Sequence, residues 1–179
     1  AAPTASAGND LLITCSNTTQ TIDGSGSSNG ALFNYVWQGP GINTNNFSLQ
    51  NPMVADSGTY TVIVTNIQNH CTDTDFVYVD MDQELPLTTA GPDRTLTCAV
   101  TTVQLDASLS QSGPNISFLW SGPGLLPGQS TNVMPMVDAP GSYNLTVTNS
   151  LNGCTNSDFL SVGEDILEPN AEAGPDLVI

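Results

Sequence analysis

Residues 58–66 read Gly58-Thr59-Tyr60-Thr61-Val62-Ile63-Val64-Thr65-Asn66, and residues 141–149 read Gly141-Ser142-Tyr143-Asn144-Leu145-Thr146-Val147-Thr148-Asn149. Tyr60, Val62 and Val64, like Tyr143, Leu145 and Val147, fall on alternate positions, and Thr61, Thr65, Asn144, Thr146 and Thr148 fill most of the others. Side chains of an extended strand point to opposite faces in turn, so each segment predicts a strand with one buried face and one wet face. The same alternation at Phe33, Tyr35 and Trp37, and again at Ile116, Phe118 and Trp120, predicts a second strand in each copy.

The two copies lie 83 residues apart, and the offset holds without a gap along the chain. Cys15 maps to Cys98, Cys71 to Cys154, and Gly39-Pro40-Gly41 to Gly122-Pro123-Gly124. The segment Ala-Gly-x-Asp occurs at Ala7–Asp10, Ala90–Asp93 and Ala173–Asp176, and Pro3, Pro86 and Pro169 keep the same step. A fixed period of this size is the mark of a repeat architecture. It divides the chain into 1–85, 86–168 and the opening strand of a third repeat at 169–179. The chain therefore reads as a piece of a longer array, with any export signal outside it.

Further strands are expected at Leu11–Cys15, Thr19–Asp23, Asn46–Gln50 and Asp75–Val79, with turns at Asp23-Gly24-Ser25 and Gly39-Pro40-Gly41. About seven short strands per repeat is the count of a β-sandwich. Sixteen Gly and 12 Pro, with no apolar repeat at helical spacing, favour an all-β chain of strands and turns.

The formal charge is −16, from 17 acidic residues against the single basic residue Arg94. Such a surface repels nucleic acid and anionic membranes, and no apolar run is long enough to span a bilayer. Neither nucleic acid nor membrane insertion is expected. Without lysine, no Lys–Asn or Lys–Asp isopeptide bond can reinforce the chain.

Asp56-Ser57-Gly58-Thr59-Tyr60 resembles the Asp-x-Gly-x-Tyr corner of immunoglobulin domains, where the Tyr hydroxyl ties down a loop. In the second copy, Ala139-Pro140-Gly141-Ser142-Tyr143 keeps the Gly and Tyr and loses the Asp. Antibody domains carry a Cys two residues after this Tyr, where Val62 and Leu145 stand, so the disulfide here differs from theirs. The ordered set Ala-Gly-Pro-Asp, Leu-Thr-Cys, Leu-Asp-x-Ser, Trp-x-Gly-Pro-Gly, Gly-x-Tyr-x-x-x-Val-Thr-Asn and Gly-Cys-Thr resembles the immunoglobulin-like and PKD-like repeats of giant cell-surface adhesins of Bacteroidota. The resemblance implies tandem immunoglobulin-like sandwiches, export by the type IX system, and service in attachment or gliding. Repeats of this type also serve as non-catalytic spacers of secreted enzymes.

Four cysteines in an evenly repeated pair read as disulfides formed in an oxidising compartment, outside the cell or at its surface. Bridges within each repeat, Cys15–Cys71 and Cys98–Cys154, make each repeat an identical closed unit, one disulfide each; the competing connectivity joins Cys71 to Cys98. Cys-x-x-Cys spacing is absent, and the only histidine, His70, is Gly153 in the second copy, which weighs against a metal–thiolate site or a His-dependent catalytic group. An enzyme is not expected. Acids gather around Pro86 and Pro169, where Asp80, Asp82, Glu84, Asp93, Asp165 and Asp176 are candidate oxygen ligands for Ca²⁺ at repeat junctions. The plainer reading is an acidic linker that keeps the array soluble. Expected partners are neighbouring repeats of the same chain, with lateral self-association or a surface ligand held at the sandwich-end loops as further readings.

Overall fold

The structure, a computed structural model, describes residues 2–168, 170–172 and 174. It is all-β among these residues, with six strands in each repeat. The first repeat has β1 (Leu11–Thr14), β2 (Gln20–Thr21), β3 (Phe33–Gln38), β4 (Met53–Val54), β5 (Gly58–Asn66) and β6 (Thr72–Asp82). The second repeats this series as β7 (Arg94–Thr97), β8 (Val103–Gln104), β9 (Ile116–Ser121), β10 (Met136–Val137), β11 (Gly141–Asn149) and β12 (Thr155–Asp165). Each repeat folds a four-stranded sheet, ordered β1-β6-β5-β3 or β7-β12-β11-β9, and a two-stranded sheet, β2-β4 or β8-β10. This is the immunoglobulin-like sandwich, and each sheet draws its strands from one repeat.

By contacts the chain divides into two compact units. The first comprises Ala1–Leu85 with Leu151–Cys154, and the second Pro86–Ser150 with Thr155–Ile179.

The alternation that predicts the strands is the alternation that fills the cores. In the first unit Ala7, Ile13, Ile22, Trp37, Val54, Tyr60, Val62, Val64, Val77 and Val79 form one buried cluster. The residue 83 positions on from each of these lies in the second cluster, as Ala90, Leu96, Leu105, Trp120, Val137, Tyr143, Leu145, Val147, Leu160 and Val162. Burying each Val, Leu or Ile side chain among them contributes roughly 1.5–3 kcal/mol, so the two cores rest on the same set of contributions.

The Ala-Gly-x-Asp segment is a latch for the chain's entry into each sandwich. Ala7 N–H donates to Asp75 Oδ2 at 2.9 Å, and Tyr78 N–H donates to Asp10 Oδ1 at 2.9 Å. One period later Ala90 N–H donates to Asp158 Oδ2 at 2.8 Å, and Ser161 N–H to Asp93 Oδ1 at 2.8 Å. The opening segment and the last strand thus exchange carboxylate–amide bonds, which are among the stronger hydrogen bonds available to a backbone.

Two expectations change. Asn46–Gln50 is a turn segment, and the short strand comes later as β4. Asn43 and Asn46 explain this: Asn46 Oδ1 accepts from Asn43 N at 2.8 Å and Asn43 Oδ1 from Asn45 N at 2.9 Å, side-chain bonds that compete with a ladder. The second change is the disulfide. Cys15 is bonded to Cys154, and Cys71 and Cys98 are free thiols, in place of Cys15–Cys71 and Cys98–Cys154. The cause is the direction of the first strand. β1 runs parallel to β6, with Thr14 opposite Asp82, so Cys15 stands at the Asp82 end, whereas Cys71 precedes Thr72 at the other end. The 11 residues of β6 put those ends on the order of 30 Å apart at about 3.3 Å per residue, and a disulfide needs Cα atoms within about 7 Å. The same holds for Cys98, beside the pair Thr97–Asp165, and Cys154, which precedes Thr155.

The Tyr corner is present in both units. Tyr60 Oη–H donates to the Asp56 carbonyl at 2.7 Å, and Tyr143 Oη–H donates to the Ala139 carbonyl. Because the acceptor is main chain, replacement of Asp by Ala at position 139 leaves the corner intact. Gly39 and Gly122 lie against these rings; a Cβ there would come within 2.5 and 2.4 Å of the Tyr Cδ1 atoms, so both sites need glycine.

Burial pushes both phenols above the ordinary value, with the Asp56 charge adding for Tyr60 and the Asp138 charge for Tyr143, while the backbone hydrogen bond opposes in each. A raised folded value means that the native chain holds the proton more tightly than the unfolded one. Stability from these groups is therefore fully present below the unfolded phenol value of about 10 and is lost as pH rises through the folded values. Urea midpoints are expected to fall above about pH 10 more steeply for the native chain than for the Tyr60→Phe/Tyr143→Phe double variant. At neutral pH each lost hydroxyl is expected to cost about 1 kcal/mol.

Candidate functional site

The Cys15–Cys154 cystine closes a separation of 139 residues with a Cα–Cα distance of 5.0 Å. Its two halves are prepared by local structure. At the end of β1 the chain turns back, with Thr14 N–H donating to the Asn17 carbonyl at 3.0 Å and Asn17 N–H donating to Thr14 Oγ1 at 3.1 Å. That turn presents Cys15. The other half is the segment Leu151–Cys154, which belongs to the first unit although it joins β11 to β12.

Asn152 organises this segment. It is 1% exposed; its Oδ1 accepts from Cys154 N at 2.9 Å, and its Nδ2 donates to Asp82 Oδ1 at 2.8 Å and to the Glu84 carbonyl at 3.0 Å. Its own carbonyl accepts from Ser16 N at 3.3 Å. Gly153 follows with φ 70°, and a Cβ there would lie 2.6 Å from Ser16 Cβ, so only glycine fits both the conformation and the space. Cys154 is fully buried. Closing so long a loop removes about 5 kcal/mol of unfolded-chain entropy on loop-closure grounds. Nothing in the reading of the sequence singled out Asn152. The available signal was the pair Asn69-His70-Cys71 and Asn152-Gly153-Cys154, in which an Asn stands two residues before each second cysteine.

Of the acids offered as calcium ligands, Asp80, Asp82 and Asp93 each accept a protein N–H at Oδ1. Asp82 Oδ1 accepts from Asn152 Nδ2 and from Glu84 N at 3.3 Å, Asp80 Oδ1 accepts from Met81 N at 2.8 Å, and Asp93 Oδ1 holds Ser161 N–H. Glu84 contributes its carbonyl to Asn152, and Asp165 lies exposed at the end of β12. Asp176 lies outside the described residues. Among the described residues no three His, Cys, Asp or Glu side chains gather closely enough to hold a metal ion. His70 stands in a left-handed conformation at φ 60°, the counterpart of Gly153.

One surface groove adjoins the first core, a shallow space of about 490 Å³ lined by Trp37, Gly39, Ile42, Thr44 and Phe47 among others. Trp37 Nε1 is buried and has no hydrogen-bond partner, whereas Trp120 Nε1 donates to the Asn132 carbonyl at 3.1 Å. Among the described residues no helix is long and apolar enough to cross a membrane.

No protein-family model and no curated protein matches the chain. Solved structures resemble it in fold. Titin I-band fragment I67–I69 is 14% identical, with 93% of this chain and 66% of that chain covered at a TM-score of 0.48. Immunoglobulin domains 1–4 of Sidekick-1 are 13% identical, with 92% and 49% covered at 0.45. Extracellular domains 3–5 of Drosophila OTK are 11% identical, with 91% and 62% covered at 0.38. The chain thus spans about half the length of the Sidekick-1 fragment and under two thirds of the OTK fragment.

Asn152→Ala strands the buried Cys154 amide and removes the donor shared by Asp82 and Glu84, and is expected to destabilise the oxidised chain by about 2 kcal/mol in chemical denaturation. Because Oδ1 of Asp82 and Oδ1 of Asp93 already accept protein N–H groups, thermal melts in millimolar CaCl₂ and in NaCl of matched ionic strength are expected to coincide. A melting temperature raised by calcium alone would instead place an ion among the junction acids.

Proposed function

We propose that the chain is a non-catalytic structural or adhesive segment of an extracellular repeat array, of the kind built into giant cell-surface adhesins of Bacteroidota. The observation that carries this reading is the Cys15–Cys154 bond, which ties the opening strand of one repeat to a loop of the next across 139 residues. A catalytic domain needs a pocket and reacting groups; this bond instead limits how far the chain can be drawn out. A cystine of this kind forms and persists in oxidising surroundings, which fits export to the cell surface. The acidic surface keeps a long array soluble and discourages collapse of one repeat onto another. Repeats of this type contact mainly their neighbours, so length is gained by adding units.

A second reading rests on the groove lined by Trp37, Ile42 and Phe47. An apolar, aromatic wall suits the face of a sugar ring, and the chain would then be a binding module.

Single-molecule stretching of the full chain, combined with glycan arrays, separates the two. For a load-bearing segment the oxidised chain extends only through the residues outside the bond. Reduction then adds roughly 500 Å of contour length, the 139 residues at about 3.6 Å each. No glycan gives saturable binding. Full extension without reductant overturns the load-bearing reading, and one reproducible glycan hit lost in Trp37→Ala favours the second.

A further inference from the structure

Cys71 and Cys98 are free and exposed, yet each is the periodic equivalent of a cysteine that is bonded in the same structure. Cys98 corresponds to Cys15, and Cys71 to Cys154. The equivalence extends to the local geometry that prepares each half. Around Cys98, Thr97 N–H donates to the Val100 carbonyl at 2.9 Å and Val100 N–H donates to Thr97 Oγ1 at 3.0 Å, the same turn that presents Cys15. Before Cys71, Asn69 Oδ1 accepts from Cys71 N at 3.0 Å, as Asn152 Oδ1 accepts from Cys154 N, and His70 takes the left-handed conformation of Gly153. The carboxylate that receives the Asn152 side chain also recurs: Asp165 stands where Asp82 does, opposite Thr97 as Asp82 is opposite Thr14. One loop of this design is seated and buried at Asn152 and Cys154, while its twin at Asn69 and Cys71 is exposed.

We propose that Cys98 is the receiving half of a second cystine, made with the second cysteine of a repeat that follows, and that Cys71 is the matching half for a repeat that precedes. The array then carries one cystine for each pair of successive repeats and none inside a repeat. The polarity described for β1 and β6 rules out a bond inside a repeat, because the two cysteines of any one repeat stand at opposite ends of its last strand. Bond formation is a two-electron oxidation. Two thiols lose two protons and two electrons to a disulfide oxidant, such as oxidised glutathione or a dithiol–disulfide oxidoreductase, which is reduced to two thiols. The Asn-x-Cys loop supplies alignment, and glycine at its middle position lets it seat closest; His70 carries a Cβ at that point, so the Cys71 half needs a receiving turn with more room than Ser16 leaves Gly153.

This inference rests on the repeat-array reading, and its test is separate. The full chain is continued after Ile179 with a second copy of residues 97–168, which restores the period and supplies a following repeat with the Asn-Gly-Cys loop. Both chains are oxidised with glutathione disulfide, alkylated and mapped without reduction. In the 179-residue chain, Cys15 is expected to be linked to Cys154, with Cys71 and Cys98 alkylated or glutathionylated. In the extended chain Cys98 loses its alkylation and is linked to the appended copy of Cys154. A folded extended chain in which Cys98 stays alkylated overturns the proposal, as does any bond between the two cysteines of one repeat in either chain. Should the extended chain not fold, the Cys15→Ser variant of the original chain decides. Cys154 is then expected to be alkylated, and its capture by Cys98 overturns the polarity on which the proposal stands. A negative map leaves the stretching and glycan results unaffected, and a glycan hit leaves the map unaffected.

Discussion

The parallel pairing of each repeat's first strand with its last governs everything else in the chain. Four residue pairs, Leu11–Val79 to Thr14–Asp82, set the direction of β1 along β6, and Arg94–Val162 to Thr97–Asp165 do the same for β7 along β12. Had the first strand run antiparallel, its cysteine would have come to the same end as the second one, and a private bridge in each repeat would have been within reach. Running parallel, it sends one cysteine forward and leaves the other behind. The carboxylate latches at Asp10, Asp75, Asp93 and Asp158 reinforce that choice by fixing the chain just before the strand begins.

Tertiary geometry of this kind was hidden from the sequence, though the cores were not. Tyr60, Val62, Val64 and their counterparts declared a buried face by spacing alone, and all of them are buried. The period also anticipated that the two cores share one set of positions. What a period cannot reveal is strand direction, because Leu11–Thr14 has the same letters whichever way it is paired. The disulfide pairing inherits that blindness. Equal spacing of cysteines is compatible with bonds inside each repeat and with bonds shifted by one repeat, and only the position of Cys15 at the Asp82 end of β6 separates them.

The acids illustrate a different limit. A cluster of Asp and Glu around a proline has the composition of a cation site, and Oδ1 of Asp82 and of Asp93 also accepts an amide donor, from Asn152 and Ser161, which lie 70 and 68 residues away. The sequence records which groups carry charge and not which long-range donors meet them. In a chain with a single arginine, hydrogen bonds from amides are the main means of accommodating carboxylates, and short-range examples occur as well. Asp23 and Asp106 are held below the ordinary carboxylate range by hydrogen bonds from Ser25 and Ser108, with Arg94 adding to the effect at Asp106.

The long cystine also alters what damage can do to the chain. Cys15 and Cys154 make the intervening backbone one leg of a covalent ring, and most of the exposed loops of both repeats lie on that leg. A protease that cuts once anywhere between them opens the ring and releases nothing, since the two pieces remain joined through sulfur. Two cuts on the leg release the segment between them and still leave the ends connected, so only a cut in the short stretches outside it severs the chain. Wherever hydrolases act, continuity of the chain is thereby made independent of the integrity of any single loop on that leg.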